Sequence, residues 1–127
     1  MPDFPATSTG GTPTSIEVRY NTDYWGVYSF NFENAIASGA TIGAVTVRAF
    51  EGTVRTSDDI SDQTEISALL IDPGYTPQIS GGTSVLVRFQ FPGATYTDAK
   101  ATVVFEVSSG GGTYPFFFPY VRIKGQP

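Results

Sequence analysis

The chain has no cysteine and no histidine. Without cysteine, disulfides, thiolate metal sites and cysteine nucleophiles are excluded. Without histidine, the usual general base near neutral pH and the commonest metal ligand are missing. Basic residues are scarce, seven against twelve acidic ones in 127 residues. A nucleic-acid surface needs clustered Lys and Arg to displace counterions, so no nucleic-acid partner is expected. No apolar run approaches the roughly 20 residues of a membrane-spanning helix. The opening stretch MPDFPATSTGGTPTS lacks the basic and apolar regions of a Sec signal. These shortages imply a soluble protein made in a cytoplasm, with no signal peptide, no membrane partner and no cofactor or metal. The length suits one domain with a core large enough to fold without staples.

What is present is period two. Residues 1–14 are rich in Pro, Gly, Ser and Thr, with Phe4 as the one substantial apolar side chain. They read as an extended N-terminal arm, which in an assembly often lies on a neighbour. From residue 15 to 127 the pattern is that of strands with one face on a core. Ile16, Val18 and Tyr20 alternate with Glu17 and Arg19, and Tyr24, Tyr28, Phe30 and Phe32 with Trp25, Val27 and Ser29. Val45-Val47-Ala49, Val85-Val87-Phe89-Phe91 and Ala101-Val103-Phe105-Val107 repeat it. Turn residues punctuate these runs at Ser38-Gly39, Asp72-Pro73-Gly74, Ser80-Gly81-Gly82, Pro92-Gly93 and 109–112. Asp58–Leu70 is the only helical candidate, but the sharp stop at Asp72-Pro73-Gly74 favours a strand over Glu65–Ile71. The reading is all-β: an immunoglobulin-like antiparallel β-sandwich of about seven strands behind an extended arm.

Catalytic constellations are weak. Tyr96 and Lys100 match the Tyr-x-x-x-Lys spacing of short-chain dehydrogenases, yet they precede a strand and no Gly-rich dinucleotide turn accompanies them. Lys100 reads as a charge guarding a strand start. Asp58, Asp59 and Asp62 could ligate calcium but lack the spacing of an EF-hand loop, so a solvated acidic loop is expected. Neither lysine sits in a Ser-x-x-Lys motif. No catalytic or metal residue is assigned.

The aromatics carry more. Alternation places Trp25 opposite the core face of its strand, available to a protein interface or to a glycan alongside nearby tyrosines. In GGGTYPFFFPY (110–120), Tyr114, Phe116, Phe118 and Tyr120 share one parity and are expected in the core. Pro115, Phe117 and Pro119 share the other. Prolines cannot donate to a ladder, so this strand belongs on an edge or at a bulge. The alternatives for Phe117 are a partner surface or a cover supplied by a loop of the same chain. The candidate interface set is Phe4, Trp25, Pro115, Phe117 and Pro119.

The motif Tyr28-Ser29-Phe30-Asn31-Phe32, followed by Gly39-Ala40-Thr41-Ile42 and closed by Val121-Arg122-Ile123-Lys124, resembles small immunoglobulin-like structural proteins from the head and tail genes of tailed bacteriophages. It departs from that pattern at Ala40, where Asp is expected, and at Phe32, where Trp is usual. The resemblance implies a non-enzymatic virion protein. On that reading it is a capsid decoration (cement) protein that binds the phage major capsid protein or other virion subunits. A homo-oligomer is implied, with a trimer favoured. A tail or head–tail connector component and a glycan-binding sandwich using Trp25 are the alternatives.

Overall fold

A computed structural model describes residues 15–19, 27–55 and 57–125. The expectations for the arm with Phe4, and for Tyr20, Tyr24 and Trp25, lie outside the described residues. The rest is a two-sheet β-sandwich. One sheet is built from β1 (Ile16–Arg19), β7 (Gly112–Lys124), β6 (Lys100–Ser109) and β3 (Ile42–Glu51), in the order β1-β7-β6-β3. The other contains β2 (Val27–Asn31), β5 (Ser84–Arg88) and β4 (Gln78–Ser80), in the order β2-β5-β4.

The alternating apolar sets meet between the sheets. Phe30 from β2 is fully buried, with the Phe105 ring of β6 at 4.6 Å and the Phe118 ring of β7 at 5.4 Å. Around them Tyr28, Val85, Val87, Val103 and Val107 close one continuous core. The expected inward sets of β2, β5 and β6 are therefore the ones buried. Each such aromatic pair adds about 0.5–1.5 kcal/mol beyond its area.

Three expectations need correction. The segment expected as a strand over Glu65–Ile71 holds one helical turn, α1 (Ser67–Leu70), between isolated bridges Phe50↔Glu65 and Ile71↔Phe89. Ile66 and Leu70, four apart, both point into the core. Phe50 belongs to one sheet, and Phe89 directly follows β5 of the other. One turn of helix thus carries the chain across the sandwich, which a continuous strand in either sheet would not do. The sandwich is also not wholly antiparallel: β1 runs parallel to β7, Ile16 opposite Val121 and Val18 opposite Ile123. A parallel pair needs a long connection, and here nearly the whole domain lies between the two strands.

The third correction concerns β7. Phe118 is buried and Phe116 packs on the core, but Tyr114 is 47% and Tyr120 60% exposed. Tyr114 lies next to the hairpin turn, where its ring stands against Gly112 and a Cβ on that glycine would meet the phenol. Tyr120 sits in a bulge: Val103 pairs with Phe118 but Ala101 with Val121, so Pro119 and Tyr120 together oppose Thr102. The extra residue reverses the parity of everything beyond it. Val121 and Ile123 take the buried positions that Tyr120 was expected to share.

Candidate docking edge and basic groove

The site is built on the β6–β7 hairpin. Gly110 and Gly111, at φ +61° and +85°, form its two-residue turn. Positive φ at both centres is what a type I′ turn demands, and its twist matches the strands it joins. The hairpin projects β7 past β1, which pairs only with Val121–Lys124. Among the described residues, the first half of β7 therefore has β6 on one side and an open edge on the other. Pro115 stands in that half and Pro119 just beyond it, before the stretch paired with β1; β7 is an inner strand of its sheet, so the expected edge holds only for this stretch. A proline has no donor for a ladder, so it is tolerated where its nitrogen faces away from the paired strand. Tyr114 and Tyr120, the most exposed large apolar side chains among the described residues, bracket this edge.

Phe117 is half-buried. It packs on a second, smaller cluster of Phe50, Val54 and Val104, with Ile60 alongside. These residues occupy the outer face of the four-stranded sheet beneath the loop that follows β3. Thr102 anchors that loop: its buried Oγ1 accepts from the Val54 N–H at 2.8 Å and donates to the Gly52 carbonyl at 2.8 Å. A loop of the same chain is thus the neighbour of Phe117, the second of the two alternatives weighed for it.

Farther along the loop Asp58 and Asp59 bond to donors of the loop itself. Asp58 accepts from the Arg55 N–H, and Asp59 accepts from the Ser61 N–H and hydroxyl. The Ser61 hydroxyl and N–H hold the Asp59 carboxyl below its ordinary value. Arg48 and Glu65 close the far end with paired contacts of 2.9 and 3.2 Å, the guanidinium lying 5.0 Å above the Phe50 ring. On the other side of the molecule Arg88 reaches Asp72 at 2.7 Å and lies over Tyr75.

Between the loop and the β1–β7 pair runs an open groove of about 610 Å³, lined among others by Glu17, Thr53, Arg55, Lys100, Tyr120 and Arg122. That volume lies within the usual range of ligand sites. Three of the chain's seven basic residues line this groove. Arg55, Lys100 and Arg122 make no ion pair among the described residues, whereas Arg48 and Arg88 each have a carboxylate. Lys100 and Arg122 are direct cross-strand neighbours, and Glu17 faces Arg122 from the other side.

The bulge makes this arrangement. Counting back from the Ser109↔Gly112 pair would set Lys100 opposite Val121 and turn Arg122 inward. The extra residue at Pro119-Tyr120 brings Arg122 opposite Lys100 on the outer face instead. Of the interface set expected from the sequence, Pro115, Phe117 and Pro119 lie on this strand, whereas Tyr114 and Tyr120 were expected in the core and the groove was not expected at all. Its one usable signal was Pro119, which marks a bulge without giving its register. Tyr96, in a 3-10 turn over Ala94–Tyr96, and Lys100, at the start of β6, stand on different elements, so they share no helix face.

The fold and site together define a two-sheet β-sandwich with a proline-bearing, tyrosine-flanked edge beside a basic groove. No family model, no curated protein and no solved structure matches the chain.

Proposed function

We propose that this protein is a non-enzymatic structural subunit that docks on a larger protein assembly, in the manner of a capsid decoration protein on its shell. The observation that carries this reading is the first half of β7. Among the described residues it is an open edge, with Pro115 within it, Pro119 just past it and the exposed Tyr114 and Tyr120 side chains near its ends. Unpaired edges invite strand addition, and prolines blunt that tendency. Exposed tyrosines offer apolar area with a polar tip at little entropic cost, the composition favoured at protein interfaces. Together these features suit side-chain docking on a partner rather than open-ended strand pairing. The sandwich core and the anchored loop behind the edge supply a rigid back to it. A copy-number role such as a trimer on a capsid surface belongs to the same proposal.

The test isolates the tagged chain from its native cell under mild conditions. The expected result is recovery on a high-mass particle at fixed stoichiometry, with the particle less heat-stable after the chain is stripped. Tyr114→Ser with Tyr120→Ser should release the chain while leaving its circular dichroism unchanged and lowering Tm only slightly, through the lost edge contact of Tyr120 with the Phe118 ring. Recovery as a lone monomer, or particles indifferent to its removal, would overturn the reading.

A further inference from the structure

We propose that the groove between the loop after β3 and the β1–β7 pair binds an acidic polypeptide segment of the partner. The argument starts from a cost. Like charges directly opposite on an antiparallel ladder destabilise it, yet Lys100 and Arg122 face each other there and neither makes an ion pair among the described residues, with the acid Glu17 in register beside Arg122. Arg55 adds a third cation from the loop, and one acid, Glu17, lies among the lining residues. This concentration occurs in a chain of net charge −5. Outside the groove, Arg48 and Arg88 are each matched to a carboxylate.

A carboxylate-bearing ligand would meet Arg122, whose fork fits such groups, Lys100 as a point charge, and the Tyr120 ring as an apolar wall. A long polyanion such as a nucleic acid is disfavoured by the acidic remainder of the surface. The choice of polypeptide over acidic glycan rests on the assembly reading above, because the groove adjoins the open edge through Pro119 and Tyr120. The anionic preference rests on the groove alone. The same bulge that exposes Tyr120 creates the Lys100–Arg122 pair, so edge and groove are one construction.

The experiment titrates the full-length protein against a fluorescein-labelled hexaglutamate peptide, with hexalysine and a uronate oligosaccharide as comparison probes. Saturable binding is expected for hexaglutamate, weakening as salt shortens the screening length from about 10 Å at 0.1 M. The double variant K100T/R122T should lose about tenfold in affinity, equivalent to ~1.4 kcal/mol. Its Tm should be equal or higher, since the like-charge pair is gone. R48A removes the same kind of charge outside the groove and should change affinity by less than about twofold. Absence of hexaglutamate binding, equal loss in R48A, or binding of the uronate in its place would each overturn the proposal. Particle recovery is scored separately: a chain that sits on its assembly but ignores hexaglutamate sinks the groove and leaves the docking edge standing.

Discussion

Val104 of β6 and Phe117 of β7 face each other across their ladder, and both sit on the outer side of the sheet against Phe50 and Val54. The sandwich therefore has apolar contacts on both faces of one sheet. The second cluster is small, and the loop after β3 depends on it.

Removing the Phe117 ring takes away contacts with this cluster. Because Phe117 is half-buried, the cost of Phe117→Ala should fall below the 3–5 kcal/mol of a fully buried Phe, at about 2 kcal/mol. Limited proteolysis should begin within residues 52–63 before global unfolding. A loss no larger than that of the exposed Tyr114→Ala in urea titration would contradict this role for the ring.

Much of the sandwich is legible in the sequence because one face of each strand repeats every second residue. Phe30, Val87 and Phe105 are called inward by parity alone, and they are inward. Parity fails where the backbone inserts a residue, as at Pro119-Tyr120, because a bulge shifts every later side chain while leaving composition untouched. It fails again at Ile66 and Leu70, where one helical turn is too short to show a period. The groove was invisible for a different reason. Arg55, Lys100 and Arg122 lie far apart in the chain, and only the ladder register and the folded-back loop bring them together.

Thr102 carries the loop anchor in a single buried hydroxyl. Thr102→Val keeps the shape but leaves the Val54 N–H and the Gly52 carbonyl without their partner. An unsatisfied buried polar group costs about 1–3 kcal/mol, so a loss near 2 kcal/mol is expected. Hydrogen exchange should quicken at the Val54 amide while the Phe105 amide keeps its protection. Unchanged exchange at Val54 would show that the hydroxyl does not hold the loop.

The Arg48–Glu65 pair predicts a pH dependence. The Arg48 hydrogen bonds, then that from the Ser67 hydroxyl at 2.6 Å, hold the Glu65 carboxyl below its ordinary value, and Glu65 in turn raises Arg48. A carboxyl depressed in the folded state contributes stability that is complete above its unfolded pKa, about 4.3 for glutamate. That contribution is lost as pH falls through the lower folded value. Both side chains are more than a third exposed, at 36% and 42%, so screening holds the effect below about 1 kcal/mol. Glu65→Gln should therefore be slightly less stable than the parent at pH 7, with the gap closing in acid and in high salt. A gap that widened on acidification would reverse the assignment.

The prolines of β7 can be tested as guards. The run Tyr114-Pro115-Phe116-Phe117-Phe118 is rich in strand-forming aromatics and carries no charge, the composition of an aggregation-prone segment. Among the described residues its edge is open, and Pro115 withholds one donor from any strand that would add there. Pro115→Thr restores the donor with a residue that favours strands, so the variant should keep its fold and yet form thioflavin-positive aggregates faster than the parent. Pro115→Lys restores the same donor but adds an edge charge, which opposes pairing. It should stay soluble. If Pro115→Thr is as soluble as the parent at equal concentration and time, the proline is not a guard, and the open edge must be blunted by the bulge at Pro119-Tyr120 instead.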